Sequence, residues 1–304
     1  MATSDNNFIT KSETRNQQTI EREVSLQGQG LHNGKQVEIE LKPLPPNSGI
    51  NFTRVGGKKP EWVKAIPVNV ISTRRGVELG SSTGEKEPQE SQNQLTFMTV
   101  EHLMAVCAGL NIDNLLVEVE GGEIPSGDGS AGHLVELIEK AGRREQNERG
   151  KPFTPNQEIK LQENDSQITI KPAAELSYHY ELDYDQNPPG KQKVSFYPVR
   201  QNFAQEIAPA RTFILKREIA AIKKAGLGQG GSRENVVVYS RDGVEGELRF
   251  PEEAARHKLL DLMGDLYLAG PLRAEVYAVK SGHTLNHRAA RKISDLKQKE
   301  DTNE

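Results

Sequence analysis

Arg256-His257-Lys258-Leu259-Leu260-Asp261-Leu262-Met263-Gly264-Asp265 is the stretch of this chain richest in possible chemistry. Positions four apart share a helix face, so His257, Asp261 and Asp265 would stack along one side. An imidazole and a carboxylate on successive turns form a clamp for a borderline cation such as zinc. Alone, such a pair is more often a solvated helical face. Two further segments change the balance. Thr99-Val100-Glu101-His102 opens an apolar helix, and Ser281-Gly282-His283-Thr284-Leu285-Asn286 follows an apolar strand. Together they supply His102, His257 and Asp261 as three ligands, with Glu101 and His283 as free acid/base groups. Three protein ligands, one open position and adjacent titratable groups make up a catalytic zinc hydrolase.

Several other segments stand in order along the chain: Gly30-Leu31-His32-Asn33-Gly34-Lys35, Gly109-Leu110-Asn111-Ile112-Asp113-Asn114, Asp128-Gly129-Ser130-Ala131, Ala210-Arg211-Thr212-Phe213, Gly230-Gly231-Ser232 and Lys280-Ser281-Gly282-His283. With these motifs the chain resembles the UDP-3-O-acyl-N-acetylglucosamine deacetylases, zinc amidases of lipid A biosynthesis, over roughly residues 18–296. The resemblance implies an α+β fold of two similar domains, each a sheet layered against helices, with the active site at the domain interface. It implies a zinc ion (Zn2+) on His102, His257 and Asp261. Glu101 would act as base, and His283 as the protonated partner of the tetrahedral intermediate and acid to the leaving amine. Asp265 would orient His283 and favour its charge, and Thr212 would hydrogen-bond the developing oxyanion. Lys258 and Lys280 would sit near the substrate diphosphate, Tyr180 would stack on uracil, and Phe213 would contact substrate. The implied reaction is hydrolysis of the N-acetyl group of UDP-3-O-acyl-N-acetylglucosamine, releasing acetate.

Composition bounds the rest. A chain of 304 residues accommodates two ordinary domains, and a net charge of −4 offers no field for nucleic acid. The one cysteine, Cys107, excludes an intramolecular disulfide and fits a reducing, cytoplasmic setting. No apolar run reaches membrane-spanning length, the first residues lack a signal-peptide core, and a monomer is expected. The organisation expected is a disordered tail over 1–17, a first domain over 18–142, a charged linker over 143–156, a second domain over 157–296 and a charged tail over 297–304.

Within that frame, Val37, Ile39 and Leu41 alternate as a half-buried strand. Residues 80–93 read as an exposed loop, and residues 101–109 as a helix stopped by Gly109. Ser130 caps the next helix. A helix is expected near 214–225, a strand at 235–239, a strand at 274–279 and a last helix from about Leu285. A helix opening at His102 and one opening at His257 both end in Ala-Gly, a faint sign of duplication. Gly226-Leu227-Gly228-Gln229-Gly230-Gly231 mimics a dinucleotide fingerprint, but it follows a helix and precedes a strand, the wrong order. By the resemblance it belongs to an insert near 213–240 that lines the acyl-chain passage. His32, His133, His179 and His287 are expected to be ordinary structural imidazoles. Arg74, Arg75 and His179 depart from the family pattern, as do Lys216 and Gln229 in the passage. These departures keep open the same amidase chemistry on another acylated sugar nucleotide. A non-catalytic binding protein on this fold is the third reading.

Overall fold

The computed structural model describes residues 15–56, 61–81 and 95–303. Most of the expected N-terminal tail and loop 80–93 lie outside them. Two five-stranded sheets organise the chain. The first runs Val24–Gln29, Gln36–Pro43, Leu115–Glu120, Ile50–Arg54, Val63–Lys64 in spatial order. The second runs Ile159–Glu163, Ser166–Pro172, Ala274–Val279, Ser177–Asp183, Lys191–Phe196. In both, the last strand of the half enters the middle of the sheet. It pairs antiparallel on one side and parallel on the other. The faint duplication in the sequence is therefore a duplicated topology.

The period-2 pattern decides which strand faces are covered. Val37, Ile39 and Leu41 are buried in the first sheet, and Tyr178, Tyr180 and Leu182 in the second. Helices α1 (Glu101–Leu110) and α2 (Gly132–Ala141) follow in the first half. In the second half come α3 (Phe203–Glu206), α4 (Ile219–Lys224), α5 (Glu253–Tyr267) and α6 (His283–Asn303). α5 lies across strands of the second sheet and packs on α1. Gly264 permits that contact, because a Cβ there would stand 2.1 Å from the carbonyl oxygen of Glu101.

Each half also carries a three-stranded appendage between its fifth strand and its ligand-bearing helix. In the first half it is Val70–Ser72, Glu78–Gly80 and Thr96–Met98, all antiparallel. In the second, Phe213–Leu215 pairs parallel to Val237–Ser240, which pairs antiparallel to Gly243–Glu245.

Several expected boundaries move. The charged stretch anticipated as a linker is largely strand Arg143–Arg149, paired with Asn16–Ile20, so order begins before residue 17. α6 continues through the charged tail to Asn303. α1 does not stop at Gly109. That glycine is inside the helix because the Phe203 ring lies where its side chain would be, and Asn111 ends the helix in the left-handed region at φ 59°. The helix expected near 214–225 begins as strand Phe213–Leu215 and becomes α-helical only at Ile219.

Candidate active site

α1 and α5 bring His102, His257 and Asp261 together, with one possible ligand atom from each within 4.8 Å of the others. All three are buried. Asp261 Oδ1 lies 3.5 Å from His257 Nε2 and 3.9 Å from His102 Nε2. His257 Nδ1 donates to the carbonyl of Ala210 at 3.1 Å, which leaves Nε2 with its lone pair toward the cluster. Burial pushes the His102 imidazole down to about 3 and lowers His257 as well, so both rings are neutral donors. Burial alone would raise Asp261, but Lys258 and the facing imidazoles pull it below the usual carboxylate range. Two neutral imidazoles and one carboxylate, convergent and buried, suit a divalent cation.

Glu101 and His283 flank this group. The Glu101 carboxylate accepts from the Val77 amide at 2.9 Å, and burial raises it to about 7, with Asp261 and Asp265 adding to the shift. Burial opposes charge on His283, yet Asp265 and Asp261 more than offset it and lift the ring to about 9. His283 Nδ1 donates to Asp265 Oδ2 at 2.9 Å, and Asn286 Nδ2 donates to the same oxygen at 2.8 Å. The turn before His283 takes its left-handed residue from Lys280, at φ 53°, rather than from Gly282. His283 opens α6.

A cavity of about 540 Å³ opens over the group. Glu101, His102, Thr212, His257, Lys258, Asp261 and His283 form its reactive end. Phe213, Ile214, Ile219, Ile222, Val236 and Val238 give it an apolar wall from the second-half appendage. Thr212 is fixed through its backbone: its amide donates to Gly129 O at 2.8 Å, and its carbonyl accepts from the Val237 amide at 2.9 Å. The Asp128-Gly129-Ser130 turn is thus the support behind Thr212. Arg249 fastens it by a 2.6 Å contact with Asp128.

The remaining expected residues divide. Lys258 lines the cavity, but its ammonium donates to Asp261 Oδ2 at 2.7 Å. Lys280 is ion-paired with Asp165 and is not on the cavity wall. Tyr180 corrects its expectation: its ring is 2% exposed, with no face for a uracil, and its hydroxyl donates to the Ser281 carbonyl just before His283. Lys216 lies on the cavity wall with its ammonium on Glu245, another wall residue, 2.6 Å away, whereas Gln229 is not part of the lining. The glycine-rich decoy docks its backbone on the Gly30–Gly34 turn. The Gly230 amide donates to Leu31 O at 3.0 Å, and a Cβ on Gly230 would stand 2.2 Å from Gly30 O. His32, expected to be ordinary, is on the cavity wall, with Nε2 donating to the Arg75 carbonyl.

Sequence reasoning passed over two buried carboxylates. Glu123 accepts from the His32 and Asn33 amides and the Thr99 hydroxyl, tying the Gly30–Gly34 turn to the start of α1. Glu253 takes the Arg211 guanidinium and the amides of Arg211 and Arg249. Their only signal was an acidic residue beside a glycine or proline turn, Gly122-Glu123 and Pro251-Glu252-Glu253, which is too common to single out.

A profile of the LpxC family, described as UDP-3-O-acyl N-acetylglycosamine deacetylase, matches residues 17–295. The chain is 40% identical over 288 residues to a UDP-3-O-acyl-N-acetylglucosamine deacetylase of Chlamydia abortus, covering 93% of this chain and 99% of that protein. It is 37% identical over 281 residues to the like-named protein of Myxococcus xanthus, covering 91% of this chain and 86% of that one.

Proposed function

This chain belongs to the UDP-3-O-acyl-N-acetylglucosamine deacetylase family, and we propose from that premise that it hydrolyses the N-acetyl group of UDP-3-O-acyl-N-acetylglucosamine with a zinc ion, as a step of lipid A biosynthesis in the cytoplasm. The observation that carries the reading is the convergence of His102, His257 and Asp261 beside two oppositely poised acid/base groups. Bound zinc would polarise the amide carbonyl and acidify the attacking water.

The protein's own groups supply the proton traffic. The Glu101 carboxylate, held by the Val77 amide, takes a proton from the attacking water. Its elevated value matches a base working near neutrality. The His283 imidazolium, held by Asp265, faces the negative charge that develops on the carbonyl oxygen, and then protonates the leaving amine. Thr212 donates to the same oxygen from a backbone fixed on both sides. Lys258 holds the second oxygen of Asp261 and so fixes the carboxylate's orientation. Lys280 would exchange Asp165 for the substrate diphosphate. The apolar wall from Phe213 to Val238 would take the fatty acyl group.

The test is acetate release from UDP-3-O-acyl-N-acetylglucosamines of several chain lengths, before and after chelation and zinc readdition. Turnover that survives chelation with no metal left on the protein rejects the zinc reading. Binding without turnover supports the non-catalytic alternative. Preference for a different acylated sugar nucleotide supports the other.

A further inference from the structure

The segment that leads from strand Val63–Lys64 into the first-half appendage carries an unpartnered apolar face. Trp62, Ile66, Val68 and Ile71 are 46%, 37%, 59% and 43% exposed within ten residues of chain, in a protein whose other large apolar side chains are mostly covered. The segment is compact. The Ile66 amide and Asn69 Nδ2 both donate to the Lys64 carbonyl, and the Asn69 amide donates to Ile66 O. These side chains are therefore displayed by a fixed scaffold. α6 braces it from behind, since His287 Nε2 donates to the Pro67 carbonyl at 2.8 Å.

Among the described residues, the exposed charges that the neighbouring elements bring next to this segment are mostly basic. Lys64 follows Trp62 by two residues with buried Val63 between them, Arg54 ends the neighbouring strand, Arg74 follows Ile71 by three residues, and Arg291 lies one helical turn beyond His287. All four are exposed. The acidic residues nearest in sequence are Glu61, Glu78 and Asp295. A basic rim around projecting Trp, Ile and Val is unexpected in a chain of net charge −4. It is the pattern of proteins that rest on anionic lipid. The face is also continuous with the reaction cavity. Thr73 and Arg75 line that cavity, and Thr73 Oγ1 lies 3.0 Å from Thr284 Oγ1, next to His283.

We propose that this face, built on Trp62, Ile66, Val68 and Ile71 with Lys64, Arg54, Arg74 and Arg291 around it, docks reversibly on an anionic phospholipid surface and sets the cavity mouth beside the lipid headgroups. The inference does not depend on the deacetylase reading, because its test reads lipid and not acetate.

Trp62 is the sole tryptophan of the chain, so its fluorescence reports on this face alone. With phosphatidylglycerol vesicles at low salt, its emission should move to shorter wavelength and become protected from acrylamide. Phosphatidylcholine vesicles should bind roughly tenfold or more weakly, since each basic residue near an anionic surface adds about a fivefold factor. Val68→Glu should weaken partitioning about tenfold or more, and Lys64→Gln with Arg291→Gln should flatten the salt dependence. All three residues are exposed, so the fold is expected to survive; circular dichroism checks this. Emission unchanged at millimolar phosphatidylglycerol overturns the proposal. So does a Val68→Glu variant that binds as well as the parent. An emission shift that depends on protein concentration without lipid also overturns it, and assigns the face to a second copy of the chain.

Discussion

The two halves share a strand order, a central parallel pair and an appendage in the same place, yet they divide the work unequally. α1 gives one imidazole and one carboxylate, side by side at its first turn. α5, half as long again, gives an imidazole and two carboxylates spaced along one face. The appendages differ in the same way. The second half turns Phe213, Ile214, Val236 and Val238 inward to wall the cavity. The first half turns Ile71 of its appendage outward, with Trp62 and Val68 of the segment that leads into it. A duplicated scaffold thus fixes where a helix and an appendage can stand. The side chains on them, free of that symmetry, decide how many groups each half gives to the cluster, which half tunes His283, and which meets solvent.

The largest way to break the comparison is to remove a ligand from each half. His102→Ala and His257→Ala should each empty the metal site and abolish turnover, although they lie on different halves. Zinc content by atomic absorption, measured with activity, checks this. Retained stoichiometric metal in either variant would detach that half from the site.

Next come the two proton carriers. Glu101→Gln and His283→Gln should keep metal and lose on the order of a hundredfold to ten-thousandfold in kcat. Asp265→Asn should lose less, because it acts through His283. The pH profile separates them. Glu101 is raised to about 7 and works as the carboxylate, so activity falls as pH drops through its value. His283 is raised to about 9 and works as the imidazolium, so activity falls as pH rises through its value. A bound dication draws both values down, which moves the bell toward lower pH without inverting it. Asp265→Asn should pull in the alkaline limb and leave the acidic one in place. An unmoved alkaline limb would deny Asp265 its part.

The packing between halves gives a smaller effect. Gly264→Ala drives a methyl into the Glu101 backbone. It should cost about 1–3 kcal/mol or more in unfolding free energy, the scale of an overpacked core, read from the denaturant midpoint. The smallest effect is expected at Lys216→Leu. Lys216 is already ion-paired with Glu245 at the cavity wall, so apolar substitution should change acyl-chain preference by no more than a few fold across a substrate series.

These contrasts also explain what the sequence made legible. His257 and Asp261 were readable because helical spacing places side chains on a face without knowledge of the fold, whereas His102, on another helix, was joined to them only through the motifs of the family resemblance. The strand with Val37, Ile39 and Leu41 was readable for the analogous reason. Tyr180 was misassigned because alternation places it on the covered face of its strand, and a motif position says nothing about which way a ring points. Gly109 looked like a helix stop, because nothing local reveals a Phe203 ring almost a hundred residues away. Glu123 and Glu253 went unremarked for the same cause. Each has two backbone amides among its partners, an amide carries no residue type, and the Thr99 hydroxyl and Arg211 guanidinium come from distant points in the chain. The stretch expected as a linker over 143–156 holds a strand at Arg143–Arg149 because charged residues form edge strands readily when one face is open.

That last strand has a mechanical consequence. Arg143–Arg149 both leaves the first half and pairs with Asn16–Ile20, with Thr19 opposite Arg144 and Gln18 opposite Glu145. The chain that leaves the first half is therefore held as a ribbon as far as Arg149, tied to that half through Gln18 and Asp113, and a ribbon resists bending in its own plane. The amides of this ribbon should exchange with solvent slowly, at rates set by opening of the whole molecule and not by the fraying usual for a connector. A protease that favours basic residues should accordingly find few productive sites among Arg143, Arg144 and Arg149 while the chain is folded.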